Sequence, residues 1–435
     1  MSGRQVTFEL ALKITQDKVR EYWDVFVDDV FIVRDLIGRI RLVLPGNKSG
    51  YSQSRLSEFS SELHKALGAY SSTPLTLILF SDDLMEGGQL LENPDRRLVF
   101  EENHRKLWLL DRQIMGQDWG RAPMKRKTKN RRVTFFGIKG GVGRSTALII
   151  WAWWLAKQGK QVLILDLDLE SPGVSSTLLP QEHLPEYGIV DWFVEDGVGQ
   201  SEIVERAMMA ASPLARDLPG GIQVVPAFGS ETGDYLPKLA RCYMEQPGTG
   251  AASWGERLQR MVEHIELAQE PDVVFLDSRA GLHDIAAVLV TRMGADVFLF
   301  AIDSAQTWTA YSFLFRHWKD HPQVSEFRQR LQMVAGMVPE TGREEYLRRF
   351  SERSWDLFRD HIYDATAAED PDAFSFDLGS EEAPHYPLSI YWNRALQEFN
   401  PAESGAGVDA QIAEAALGSF LSRADGMVFS GEEYS

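Results

Sequence analysis

Val133-Thr134-Phe135-Phe136-Gly137-Ile138-Lys139-Gly140-Gly141-Val142-Gly143-Arg144-Ser145-Thr146 is the stretch on which the fold turns. Its first half is apolar and rich in β-branched and aromatic residues, the pattern of a buried strand. Three glycines follow, and the apolar run Ala147 to Gln158 then predicts a buried helix. Strand, glycine loop and helix in that order make a phosphate cradle. Glycine lets the backbone curl with its N–H groups inward, and the helix N-terminus adds partial positive charge facing an anion. Ser145 is placed to ligate Mg²⁺, and Thr146 to hydrogen-bond an α-phosphate. The expected ligand is a nucleoside triphosphate with Mg²⁺, ATP in the first instance. The ordinary loop carries Gly-Lys before the hydroxyl residue. Here the pair is Gly143-Arg144.

Two further segments join the loop. Val162-Leu163-Ile164-Leu165-Asp166-Leu167-Asp168-Leu169-Glu170-Ser171-Pro172-Gly173 is a strand ending in carboxylates and a turn, and strand alternation puts Asp166 and Asp168 on one side. Asp272-Val273-Val274-Phe275-Leu276-Asp277-Ser278-Arg279-Ala280-Gly281 is a second such strand. A glycine pair alone signals little, because most mark turns. Three elements in order, each in the strand context it requires, outweigh the bland alternative in which Asp166 and Asp277 are strand-end caps.

Lys139 to Thr146 resembles the deviant Walker A loop of the ParA/MinD-type P-loop ATPases of the SIMIBI class, which normally reads KGGxGK[ST]. The resemblance covers Val133 to Gly281 and implies an ATP- and Mg²⁺-dependent machine. Lys139 matches the signature lysine, which in that family reaches across a homodimer to the nucleotide held by the partner subunit. Gly140, Gly141, Val142, Gly143, Arg144, Ser145 and Thr146 would hold phosphate. Asp166 would lie near the Mg²⁺ water shell, and Asp168 would orient the attacking water. Asp277 would hold Mg²⁺ through water, and Gly281 would let the backbone answer the γ-phosphate. Arg279 stands where the family often has proline. Lys139, Asp168 and Arg144 are thus the expected catalytic residues; Ser145, Asp166 and Asp277 are the expected metal residues.

Arg144 opens two readings. A guanidinium is a planar fork that contacts phosphate bidentately, whereas lysine is a compact charge on a flexible stem. The site is then either a hydrolase, as the presence of Asp168 and Asp277 suggests, or a nucleotide binder with little turnover.

From Arg132 onward, short apolar runs at Val133–Ile138, Val162–Asp166, Ile222–Pro226, Val273–Asp277, Val297–Ala301 and Leu331–Gly336 alternate with helical segments. This predicts an α/β fold, a mostly parallel, doubly wound P-loop sheet covered on both faces. Residues 1–121 read as a smaller N-terminal α/β module, with helices at Gln16–Asp28 and Ser54–Leu67 and strands at Arg39–Leu44, Leu75–Phe80 and Lys106–Leu110. Residues 122–132 read as a basic linker, and 133–435 as the ATPase domain. At 435 residues, the chain exceeds what one core usually supports.

A formal charge of -18 works against a wholesale nucleic-acid or anionic-membrane binder. The local run Lys125 to Arg132 is either a charged linker or a DNA contact. One cysteine, Cys242, excludes an internal disulfide framework or a multi-thiolate metal cage, and is expected as a packed small residue. Arg4, Glu9 and Lys13 interrupt what a secretory signal would need, so a cytoplasmic protein is expected. The apolar run Ala147–Ala156 is shorter than the roughly 20 residues of a membrane span. Ile412 to Leu421 has Arg423 as its only nearby cation, against a membrane-surface helix. Trp151, Trp153 and Trp154 are expected in the core. His283 and Asp284 are expected as structural or interface residues, and Met337–Glu340 and His385–Asn393 as loops near the base. The tail carries only Tyr434.

These features predict a homodimeric ATP-dependent switch ATPase that regulates a partner protein engaged through the N-terminal module, in genome or plasmid positioning or a bacterial defence assembly. The alternative is a nucleotide-locked structural subunit with negligible turnover.

Overall fold

The computed structural model describes residues 6–73, 76–85, 87–93, 95–113, 117–125, 127–244, 252–319, 321, 323–365, 373–397, 399–401 and 407–429. Leu75, Arg126, Tyr434 and part of the acidic 364–382 segment lie outside them. The chain divides into two compact units, Met1–Gln117 and Asp118–Ser435.

The first unit is a five-stranded mixed sheet of order β3-β2-β1-β5-β4. Its strands are β1 (Val30–Arg34), β2 (Ile40–Leu44), β3 (Ile78–Phe80), β4 (Arg97–Glu102) and β5 (Arg105–Asp111). β1 pairs antiparallel with β2 through a turn in which Asp35 Oδ1 accepts from Ile37 N and Arg39 N. Helices Phe8–Glu21 and Gln53–Leu67 share a core with the sheet, where Val19, Phe59 and Leu63 meet Ile32, Leu42 and Leu107. The first helix starts and stops eight and seven residues earlier than the expected Gln16–Asp28. It ends because Trp23, Val25 and Phe26 turn into the core on a 3₁₀ turn. Strands β1 and β4 were not expected from the sequence, although β1 is buried at all five positions; β4 is an edge with Arg97, Leu98, Glu101 and Glu102 exposed.

The second unit is an eight-stranded sheet of order β13-β12-β11-β6-β10-β7-β9-β8. Its strands are β6 (Arg131–Gly137), β7 (Gln161–Leu167), β8 (Ala210–Ala211), β9 (Gly221–Val225), β10 (Val273–Ser278), β11 (Asp296–Ala301), β12 (Leu331–Val338) and β13 (Leu388–Tyr391). Every pairing is parallel except β8 with β9. All six apolar runs expected as strands are strands. On one face, helices Arg144–Lys157 and Ala410–Phe429 pack around Phe135, Trp151, Phe275, Phe298 and Phe420. Helices Ile189–Asp196 and Trp254–Gln269 cover the other face beside β7 and β10, with helices Ala305–Lys319 and Arg343–His361 beside β11 and β12.

Trp151 is fully buried, and its Nε1 donates to Asp425 at 2.6 Å, which ties the loop helix to the C-terminal helix. That C-terminal helix spends its apolar face, Ala413, Leu417, Phe420 and Leu421, on the sheet. No helix among the described residues is long and apolar enough to cross a membrane. Cys242 is buried in the core, as expected. His385–Asn393, expected as a loop, contains edge strand β13. His385 is itself buried, with Nδ1 2.5 Å from the Tyr363 hydroxyl.

The segment 122–132, expected as a linker, is part of the second unit. Met124 N donates to Arg292 O, and Lys127 N donates to Glu263 on helix Trp254–Gln269. The Lys125 carbonyl accepts from Gln259. Arg131 and Arg132 open β6, and the Arg132 side chain is fully buried in a two-bonded pair with Glu266, both contacts at 2.7 Å. The reason is a carboxylate that the sequence separates from Arg132 by 134 positions.

Candidate functional site

β6 delivers the chain to the glycine loop, and helix Arg144–Lys157 receives it. Gly141 (φ +72°) and Gly143 (φ +82°) take the left-handed conformation that glycine adopts without a Cβ penalty, with Gly143 at the helix N-cap. Val142 is buried and anchors the loop from below. The support is β12. A Cβ on Gly336 would lie 2.2 Å from the Val142 carbonyl oxygen, so loop and strand touch backbone to backbone. β12 bulges there, and Met337 adopts φ +55°. Its sulfur lies 3.6 Å from the position a Cβ on Gly143 would take. Met337, expected in a loop, lies at the end of β12 beside Gly143. Ser145 and Thr146 occupy the first helical turn, partly exposed. Lys139 stands at the loop entrance, its ammonium bonded to Gln306 Oε1.

Asp166 and Asp277 are register partners on neighbouring strands β7 and β10, so their carboxylates emerge side by side on the loop-helix face. Asp166 is fully buried. It accepts from Ser175 N at 2.8 Å, Ser175 Oγ at 2.5 Å and Asp168 N at 3.3 Å. Burial, helped by the charge of Asp277, pushes Asp166 up to about 7 against the pull of the Ser175 bonds. Burial also pushes Asp277 up to about 6, with the Arg144 guanidinium opposing. Asp168 is raised chiefly by burial and pulled back by Arg144. Arg144, 8% exposed, crosses to both: Nε donates to Asp277 Oδ1 at 3.0 Å, and Nη2 lies 3.6 Å from Asp168 Oδ2. Its Nη1 is buried with no hydrogen-bond partner among the described residues.

Gly281 (φ +105°) sits against the loop, its N–H donating to Gly137 O at 3.1 Å. The amide expected to face a γ-phosphate is thus engaged by the strand that carries the loop. Arg279 pairs with Glu170 at 2.8 Å, and Tyr243 Oη donates to the same carboxylate at 2.7 Å. Tyr235 Oη donates to Leu169 O at 2.5 Å. The two loops bearing Asp168 and Gly281 are therefore clipped together, and both tyrosines come from helix Tyr235–Cys242 or its C-cap. Ser175, Tyr235 and Tyr243 had no sequence signal, since each matters through a partner distant in the chain. His283 Nε2 lies 3.3 Å from Arg279 O and closes the same loop, a structural position.

The donor set fits Mg-nucleotide better than a protein-enclosed ion. Mg²⁺ keeps several waters and takes one or two carboxylates plus phosphate oxygens. The site offers one hydroxyl and two strand-end carboxylates, and among the described residues no group of three or more His, Cys, Asp or Glu encloses a metal. The unpartnered Nη1 of Arg144 is the orphaned donor that an anion would satisfy.

The buried carboxylates predict a pH signature. Asp166 holds its proton more tightly folded than unfolded, so this contribution to stability is full below about pH 4 and is lost as pH rises through about 7. Asp166→Asn should therefore narrow the fall in stability between about pH 5 and about pH 8 by roughly 1–2 kcal/mol, read by urea unfolding. An unchanged profile would show that Asp166 is ionised throughout.

A sequence model of the CobQ/CobB/MinD/ParA nucleotide binding domain matches residues 133–307, which contain the loop, both strand-end aspartates and Gly281. No curated protein sequence matches the chain. Among solved structures the chain is similar to ParA of pNOB8 bound to nonspecific DNA (13% identity, TM-score 0.43, covering 69% of this chain and 98% of that one). It is also similar to a ParA family ATPase from Chlorobium tepidum TLS (15%, 0.41, 68% and 96%). A third is cobyrinic acid a,c-diamide synthase from Mycobacterium smegmatis with bound ATP analog and magnesium (17%, 0.34, 52% and 82%). The match over residues 133–307 therefore marks a nucleotide binding domain of the CobQ/CobB/MinD/ParA type in that part of the chain.

Proposed function

We propose that this chain is an ATP-dependent switch of the ParA/MinD type, which binds Mg-ATP, hydrolyses it slowly and regulates a partner as a nucleotide-sandwich homodimer. The observation that carries the proposal is the convergence of the glycine loop with Asp166 and Asp277 in register and Asp168 just beyond. Mg²⁺, when bound with the nucleotide, neutralises charge on the phosphates. Gly140 to Thr146 would cradle those phosphates, and Ser145, Asp166 and Asp277 would supply the ion's ligand and hold its waters. Asp168 accepts a proton or hydrogen bond from the attacking water. Lys139 lies at the loop entrance, where a partner subunit's phosphates would meet it.

Asp168→Ala should lower phosphate release by about tenfold or more while leaving nucleotide binding within about threefold. No release above background by the unaltered protein, with or without DNA, would sink the hydrolase reading. The second reading, a nucleotide-locked subunit, draws support from one observation: Arg144 already engages both Asp168 and Asp277.

The output reaches a partner protein through residues 1–121. A DNA contact would rest on Lys125, Lys127 and Lys129, which are exposed, because Arg131 bonds Val428 O and Arg132 is buried. Salt-dependent retention on duplex DNA reads this out.

A further inference from the structure

The loop residue before Ser145 is ordinarily a mobile point charge; in this chain it is a fixed fork. A guanidinium carries five N–H donors in one plane, so the direction of each arm sets the others. Arg144 spends Nε on Asp277 at 3.0 Å and points Nη2 at Asp168 from 3.6 Å. Both carboxylates are shielded from water: the side chains of Asp277 and Asp168 are 1% and 13% exposed. Desolvated pairs of this kind are weakly screened and hard to separate. The third arm, Nη1, is buried, has no acceptor among the described residues and belongs to the first residue of the helix that follows the glycine loop. A phosphate oxygen, like a carboxylate, makes a strong charge-assisted hydrogen bond with a guanidinium. Nη1 is the nitrogen of this fork that neither Asp277 nor Asp168 occupies.

We propose that Arg144 is a built-in brake: one guanidinium holds Asp277 and Asp168 while its free arm takes a phosphate oxygen, so nucleotide is retained with little help from Mg²⁺ and turns over slowly. The brake rests on the ATP reading above and refines it. While Arg144 stays on Asp277, that carboxylate is not free to order metal-bound water, and Asp168 is drawn toward a cation rather than toward the attacking water. Lysine at the same position is a single nitrogen on a flexible stem, without the rigid fork that fixes the two carboxylates relative to each other.

The test uses the full chain, unaltered and as Arg144→Lys. Affinity for a slowly hydrolysed ATP analogue is measured by calorimetry with Mg²⁺ and with EDTA, and phosphate release from ATP is followed in parallel. The unaltered protein should lose less than about threefold in affinity when Mg²⁺ is removed, and Arg144→Lys about tenfold or more. Arg144→Lys should also release phosphate about tenfold faster. A loss of about tenfold or more by the unaltered protein without Mg²⁺, or no gain in turnover from Arg144→Lys, overturns the brake and leaves the ATP reading standing. Absence of analogue binding by both proteins overturns the ATP reading itself. The Mg²⁺ dependence of the unaltered protein decides the matter if the variant does not fold.

Discussion

Arg132→Ala is expected to cost the second unit about 3–5 kcal/mol, enough to leave much of the protein insoluble on expression. Arg132 lies in a stretch that, by composition, is a surface linker, where a substitution to alanine would change stability by no more than about 0.5 kcal/mol. The structure reverses that expectation. Arg132 Nε and Nη2 bond the two oxygens of Glu266 at 2.7 Å each, Nη1 donates to Met293 O at 3.1 Å, and both side chains are fully buried. Removing the arginine leaves a buried carboxylate whose remaining hydrogen bond among the described residues comes from Thr128. The double variant Arg132→Met/Glu266→Leu removes both charges and should recover most of the loss, because a desolvated ion pair contributes little more than a well-packed apolar pair. Urea unfolding of the three proteins measures this. If Arg132→Ala unfolds like the unaltered protein, the pair is not buried as described.

Gly336→Ala is expected to weaken binding of an ATP analogue by about 100-fold while the chain stays folded, at a stability cost of roughly 1–3 kcal/mol. Gly336 is outside every motif, and its importance is purely steric. An added Cβ would sit 2.2 Å from the Val142 carbonyl oxygen, with no flexible side chain to give way. Either the bulge at the end of β12 or the glycine loop must move, and the loop has less to hold it. Displacement of Val142 misaims the flanking amides, and phosphate recognition depends on their alignment. Calorimetry with the analogue, next to a thermal melt, separates misplacement of the loop from unfolding. Unchanged affinity would show that the loop is held elsewhere.

The legible part of the fold was the part in which local sequence and tertiary role coincide. Strands β6, β7, β9, β10, β11 and β12 are buried on both faces, so each reads as a continuous apolar run. Edge strands gave no such signal. β4 carries exposed charges, and β13 is four residues long between Pro387 and Trp392. The same division holds in the site. The glycine loop and the strands ending at Asp166 and Asp277 were readable as local patterns because each requires particular residues within a few positions. The clip of Arg279 and Tyr243 on Glu170 was not, nor the backbone contact of Gly336 with Val142.

By itself, the amino-acid sequence determined the strand-loop-helix cradle, since backbone conformation and hydrogen-bonding capacity follow from residues adjacent in the chain. Only the tertiary structure decided what the charged residues do with that capacity. Asp166 and Asp277 face each other because β7 and β10 pair in that register. Arg144 reaches Asp277 across 133 positions of sequence, and Arg132 reaches Glu266 across 134. A buried charge takes whichever counter-charge the packing brings near, and that choice is made by the assembled sheet and its helices.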